Sequence, residues 1–346
     1  MSITFTLQDD EISRLPKVDL HRHLEGSLRL QTLLEVARKH DITLPAGTVS
    51  LSRLVQVQDE DNLTFENFLK KFNTLRMFYR SPDVIERITH EAIEDAANDN
   101  VKYLELRFTP VALSRAERFP LHDVIDWVCE SAENGAKKHG ITVRLIASVN
   151  RHESLELAEQ VVWLSIDRRA KGIVALDLAG NEAQNPALPF LGLFNEARQS
   201  GLKVTIHAGE WGGPENVREA IEKFSTDRIG HGVRVLEDQF TTDLAREQNI
   251  PFEVCLTSNY QTGVVKVLTQ HPATRMIAAK LNVTLNTDDP SISQITLGNE
   301  YRVALENLNI SKEILKERIL ASARASFLPD DEKMALVETL TQELSK

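Results

Sequence analysis

The stretch VTIHAGEWGGPENVREAIEKFSTDRIGH, residues 204–231, contains a complete strand–helix–strand unit. Val204 to His207 (VTIH) is a short β-rich run, Pro214 to Phe224 has the periodicity and length of a helix, and Arg228 to His231 (RIGH) is a second run. Strands separated by a helix imply parallel pairing through a right-handed crossover. Both runs end on a histidine, and the first continues into an acid, His207-Ala208-Gly209-Glu210.

The same alternation extends in both directions. Lys17 to His23, Tyr103 to Phe108 (YLELRF), Val143 to Val149 (VRLIASV) and Ile173 to Leu178 (IVALDL) precede the unit. Pro251 to Leu256 (PFEVCL) and Val283 to Asn286 (VTLN) follow it, which brings the count of runs to eight. Leu121 to His139 is another intervening stretch with helical periodicity. Eight such units predict a (β/α)8 TIM barrel, a single domain over residues 1–346, with a doubly wound open sheet as the alternative. More than seventy residues separate the first two runs, so extra helices are inserted after the first strand. Inside that interval Phe65, Phe68, Leu69 and Phe72 recur at helical spacing. This pattern predicts a helix docked on the barrel, which can also serve as a hydrophobic lid within about residues 45–95. Ser311 to Lys346 reads as two closing helices, each starting near an N-cap.

Composition narrows the function classes. Hydrophobic residues make up 42% and charged residues 26%, an ordinary globular balance. A net charge of −11 argues against a broad phosphate-binding surface, so neither nucleic acid nor an anionic membrane is expected as a partner. Cys129 and Cys255 are the only cysteines, too few for a disulfide framework, and they fit a reducing compartment. Met1 to Glu11 lacks a basic segment followed by an apolar one, and no apolar run approaches the roughly 18 residues of a membrane span. A cytoplasmic location is the expectation.

Polar residues gather at the ends of the runs. The first run ends in His21-Arg22-His23, whose histidines point to the same side of a strand and can chelate one ion. The fifth ends in His207, with Glu210 just beyond. The sixth ends in Gly230-His231-Gly232, and the eighth runs into Asn286-Thr287-Asp288-Asp289-Pro290. In a barrel the carboxyl ends of all strands converge on one face, where active sites form. Singly each motif is weak: a lone histidine is usually structural, and Asp289 before proline suits a helix start. Jointly they predict a metal site of three imidazoles and one carboxylate. Zinc suits such a set, at about 2.0–2.2 Å with one position left for water, while iron and manganese share the ligand chemistry. Such an ion lowers the pKa of water toward about 7. Glu210 is then the natural proton donor, and His231 can act on the attacking oxygen or serve as a further nitrogen ligand.

At these residues the sequence resembles the adenosine deaminase family of metal-dependent amidohydrolases, nearly end to end. The resemblance is carried by His21-Arg22-His23-Leu24-Glu25-Gly26, Asp177-Leu178-Ala179-Gly180, His207-Ala208-Gly209-Glu210, Arg228-Ile229-Gly230-His231-Gly232 and Leu285-Asn286-Thr287-Asp288-Asp289-Pro290. It implies one zinc ion per chain, held by His21, His23, His207 and Asp288. It further implies that Glu210 protonates purine N1, His231 positions the hydroxide, Asp289 faces N7 and the Gly180 backbone meets N3. Phe65, Phe68, Leu69 and Phe72 look like the family's hydrophobic gate. The implied reaction is hydrolytic deamination of adenosine and 2′-deoxyadenosine, so the implied partner is a purine nucleoside. Deaminases of the unrelated fold use a His-x-Glu and Cys-x-x-Cys signature, and this chain has no Cys-x-x-Cys.

Three positions distinguish subfamilies. Glu25 stands where adenosine deaminases usually carry an aspartate that contacts the sugar 5′-hydroxyl; adenine and aminofutalosine deaminases more often have Glu. Asn181 replaces an acid common after the strand-four glycine. Cys255-Leu256-Thr257-Ser258-Asn259, in contrast, looks like bacterial adenosine deaminases. Adenine and aminodeoxyfutalosine deamination are therefore the alternatives. Binuclear amidohydrolases resemble one another in a lysine at the end of strand four, and this chain has Asp177-Leu178-Ala179-Gly180 there. A catalytically silent binding barrel would have lost Glu210 or His231, and both are present.

Overall fold

The computed structural model describes residues 9–44 and 48–345. Residues 1–8 of the segment read for targeting signals, and 45–47 of the lid interval, lie outside these. Eight strands form one sheet in sequential order: β1 (Lys17–His23), β2 (Val101–Phe108), β3 (Thr142–Asn150), β4 (Ile173–Ala179), β5 (Lys203–Ala208), β6 (Arg228–His231), β7 (Pro251–Val254) and β8 (Asn282–Leu285). Every neighbouring pair from β1 to β8 is parallel. The sheet curls until Asp288, just past β8, bridges Arg22 of β1. Asp288 donates its N–H to His21 O at 2.7 Å, and His23 donates to Asp288 O at 2.8 Å. This is the (β/α)8 barrel predicted from the alternation, and its closing seam carries His21, His23 and Asp288.

The runs and strands agree to within one or two residues. The differences reach two residues at YLELRF, where β2 starts at Val101, and at PFEVCL, where β7 stops at Val254. A helix starts at Leu256, and the buried Glu300 carboxylate accepts the N–H groups of Leu256 (2.6 Å) and Thr257. Those donors are thus taken away from the sheet. Barrel interiors are usually aliphatic, but this one is ionic. Alternation along YLELRF turns Tyr103, Glu105 and Arg107 inward and Leu104, Leu106 and Phe108 toward the helices. Arg228 donates to Glu253 Oε1 (2.6 Å), to Glu105 and to Ala325 O (2.8 Å), and lies over the Phe327 ring at 3.5 Å. Arg107 reaches Glu253 at 2.8 Å and Asp177 at 3.3 Å. All five charged side chains are fully buried, which is sustainable only because each has partners.

The long interval after β1 folds into helices Leu30–Lys39, Thr48–Val55, Phe65–Leu75 and Pro82–Asn98. Thr64 caps the third by accepting from Asn67 N, and Ser81 caps the fourth ahead of Pro82 at its first turn. The fourth buries Val84, Ile85, Ile88 and Ile93, each worth about 1.5–3 kcal/mol of apolar transfer, and so anchors the insertion. The two closing helices are Lys312–Ala325 and Asp330–Leu344. Among the described residues, no helix is long and apolar enough to cross a membrane.

Candidate active site

His21, His23, His207 and Asp288 meet at the carboxyl end of the barrel, with ligand atoms within 4.8 Å of one another. Nε2 of His21 and Nε2 of His23 each lie 3.3 Å from Asp288 Oδ1. The other ring nitrogen of two imidazoles is already engaged. His21 Nδ1 is 2.7 Å from Glu253 Oε2, and His207 Nδ1 is 2.9 Å from Asp177 Oδ1. A carboxylate on Nδ1 holds the proton there and leaves Nε2 with a free lone pair toward the cluster. Ser258 Oγ donates to Asp288 Oδ2 at 2.6 Å, which orients that carboxylate. Burial acts to raise Asp177, but His207 and Arg107 outweigh it and hold the carboxyl below its usual range. His21 Nε2 is buried without a hydrogen-bond partner, a cost that coordination removes. This donor set fits a metal ion.

Local backbone serves the cluster. Asp288 (φ 64°) and His231 (φ 59°) occupy the left-handed region, where non-glycine residues store strain. A Cβ on Gly230 would come within 3.2 Å of His207 Cα and His21 Cε1, so only glycine lets the imidazoles close up. Cys255 groups with His231 and Asp288 as well. Burial pushes its thiol well up, and Sγ faces Glu253 O at 3.6 Å. It is a protonated, inward-facing thiol.

Glu210 and His231 flank the cluster. Glu210 Oε2 lies 3.6 Å from His231 Nε2, and His231 Nε2 lies 4.0 Å from Asp288 Oδ2. Burial, with Asp288 and Glu182 nearby, pushes the Glu210 carboxyl well above its ordinary range, which favours its protonated form. Burial holds the His231 imidazole well below its ordinary value, which favours the uncharged ring.

A cavity of about 460 Å³ opens over these groups. His23, His207, Glu210, His231, Asp288 and Asp289 line its floor, and Glu25 and Gly180 line its walls. Asp289 Oδ1 is buried without a partner, and burial plus Asp288, Glu25 and Glu210 keep its carboxyl well above the usual range. Its approach requires Gly26, where a Cβ would overlap Asp289. Glu25 Oε1 accepts the Thr109 N–H at 2.5 Å, while Oε2 is buried and unpartnered. Arg29, the neighbour that could have neutralised Glu25, pairs with Asp95 and Glu94 instead. Phe68, Leu69 and Phe72 reach the cavity from the helix Phe65–Leu75. Phe65 does not line it and stacks on Trp211, centroids 4.8 Å apart.

Sequence reasoning missed the supporting residues. Asp177 and Glu253 behind the histidines, Ser258 behind Asp288, and Trp211, Glu182 and Asn259 around Glu210 were not singled out for these roles. Asp177 opens one of the quoted motifs, Ser258 and Asn259 end another, and Glu253 is a charge inside an apolar run, so a signal existed for these four. Nothing local marked Glu182, whose partners lie on the next loop.

Comparison with known proteins agrees with this arrangement. The model of the family described as adenosine deaminase matches residues 16–343. The adenosine deaminase of Salmonella schwarzengrund is 38% identical over 326 residues, covering 94% of this chain and 97% of that protein. Among solved structures, the adenine deaminase of Arthrobacter aurescens superposes with a TM-score of 0.89 at 25% identity, over 96% of this chain and 100% of that one. The Arabidopsis N6-mAMP deaminase follows at 0.84 and 29%, over 96% and 99%. Matched along nearly its whole length, with the acid and histidine cluster assembled at the barrel mouth, the chain belongs to the adenosine deaminase family.

Proposed function

We propose that this chain deaminates adenosine and 2′-deoxyadenosine hydrolytically, giving the 6-oxopurine and ammonia, with one zinc ion held by His21, His23, His207 and Asp288. The observation that carries the proposal is the Glu210 carboxyl, buried 3.6 Å from His231 at the edge of the cluster of three imidazoles and one carboxylate. Bound there, zinc would supply the Lewis acidity that makes water a nucleophile near pH 7. Attack at C6 breaks the aromaticity of the purine, and a proton from Glu210 to N1 lets the ring accept the electron pair. His231 faces the attacking oxygen and favours charge developing on it, an interaction stronger in the transition state than in the ground state. N7 is an acceptor, and the protonated Asp289 is a matching donor. The Gly180 backbone faces N3, the unpartnered Glu25 Oε2 takes a ribose hydroxyl, and Phe68, Leu69 and Phe72 keep bulk water out.

Glu25 also favours a second reading, deamination of free adenine, the base acted on by the Arthrobacter neighbour. The ultraviolet absorbance change on deamination tests both. Adenosine and 2′-deoxyadenosine should turn over faster than adenine and aminodeoxyfutalosine. Adenine turning over faster than adenosine would reverse the assignment, and no turnover of any would remove it.

A further inference from the structure

We infer that His271 and Asn259 are positioning residues that fix the ring proton of His231 on Nε2, so that His231 meets the reacting oxygen as a hydrogen-bond donor. The inference rests on the proposed place of His231 opposite that oxygen and adds which atom carries the proton. The argument starts at a backbone group whose role is unambiguous. The Ala273 N–H donates to His271 Nδ1 at 3.1 Å. An amide N–H cannot accept, so Nδ1 must hold a lone pair, and the ring proton of neutral His271 sits on Nε2. Burial keeps His271 neutral, bringing its pKa down to about 3.

The second link follows from the first. His271 Nε2 lies 3.3 Å from Asn259 Oδ1 and can only donate to it. The amide of Asn259 is thereby oriented, and its Nδ2 faces the catalytic groups. Nδ2 is 3.2 Å from His231 Nδ1 and 3.5 Å from Glu210 Oε1. The reverse orientation would set N–H against N–H at His271. Asn259 is fully buried, and its backbone is held by Asn259 N to Cys255 O (3.0 Å) and Val265 N to Asn259 O (2.8 Å).

His231 Nδ1 therefore accepts, and Nε2–H points toward Glu210 Oε2 at 3.6 Å. In its neutral form the ring offers the pocket a donor and no lone pair. His231 then stabilises negative charge on oxygen by donation, and Glu210 remains the group that delivers a proton to the base. Helix Leu256–Gln261 and the 3₁₀ turn Leu268–Gln270 supply this orientation from outside the pocket.

The test uses metal-loaded enzyme with ¹⁵N-labelled histidine, the His231 resonances being identified by their absence in His231→Gln. The unmodified enzyme, which avoids any folding question, should show His231 protonated on Nε2 and not on Nδ1. Asn259→Asp replaces the donor with an acceptor of the same shape and should move the proton to Nδ1. Metal content and KM should stay unchanged while kcat falls about 10²–10⁴-fold, the span for a misplaced acid–base group. His271→Gln, which can still donate to Asn259, should keep most of kcat, and His271→Leu should not. Protonation on Nδ1 in the unmodified enzyme would overturn the inference, as would an unmoved tautomer in Asn259→Asp. The underlying place of His231 fails on a different result, wild-type kcat in His231→Gln, which would remove the catalytic consequence while leaving the tautomer measurable.

Discussion

The backbone N–H of Glu210 donates to the carboxylate of Glu182 at 2.7 Å. Glu182 also takes Gly209 N (3.0 Å), Trp211 N (2.8 Å) and Asn216 Nδ2 (2.8 Å). The loop that carries Glu210 therefore hangs on the loop that follows Gly180. An amide offers one acceptor oxygen where the carboxylate has two, so Glu182→Gln turns an N–H₂ against a backbone N–H. We expect it to lower kcat and to cost about 1.5–3 kcal/mol in urea unfolding, with metal content unchanged. Unaltered kcat and unfolding midpoint would show that the clamp is dispensable.

His207→Ala should lose metal and activity together, because the remaining imidazoles and Asp288 leave the cluster one ligand short. Chelation of the unmodified protein should lower its melting temperature, since an ion bound only by the native state stabilises it by mass action. Stoichiometric metal in His207→Ala by elemental analysis would remove His207 from the ligand set.

Glu210→Gln should keep its metal and lose about 10²–10⁴-fold in kcat. Its stability should respond to pH in a defined sense. The Glu210 carboxyl is raised by burial, Asp288 and Glu182, so its folded pKa lies above the unfolded one. Its contribution is fully present below the ordinary carboxylate range and is lost as pH rises through the raised value. Glutamine does not ionise. The melting temperature of Glu210→Gln relative to wild type should therefore climb with pH, while wild-type kcat/KM falls on its alkaline limb through the same group. A pH-independent difference in melting temperature would count against a raised Glu210.

Glu25→Gln should lower kcat/KM for adenosine by about 1.5–3 kcal/mol while leaving the weak turnover of adenine nearly unchanged. The basis is the division of labour in its carboxylate, with Oε1 on Thr109 N and Oε2 buried and free. Equal losses on both substrates would assign Glu25 to holding the Thr109 loop alone.

Arg228→Met should destabilise the barrel by about 3–5 kcal/mol, because Glu105 and Glu253 are left buried without their cation. Glu253 also holds His21, so metal affinity should drop roughly 10–100-fold, the cost of losing outer support to a ligand. Urea unfolding and metal titration read the two effects separately, and an unchanged unfolding midpoint would contradict the first.

Short-range patterning along the chain encodes the elements and their order. Runs such as VTIH and RIGH with Pro214–Phe224 between them specify a βαβ unit through local periodicity. Eight units in order leave little choice of topology, and strand ends reveal His21, His23, His207, Glu210, His231 and Asp288 because barrel strands all finish on one face. The helical spacing of Phe65, Phe68, Leu69 and Phe72 predicted an amphipathic helix, but packing decided that Phe65 turns onto Trp211 while the other three reach the cavity. Only the tertiary structure decided the polar frame: Glu253 lies 232 residues from His21, Glu182 lies 28 from Glu210, and Asn259 lies 28 from His231. No periodicity records such pairs. Their partners are set by which loops the closed barrel brings together, and each bond exists because a buried polar group without a partner costs more than the order needed to supply one.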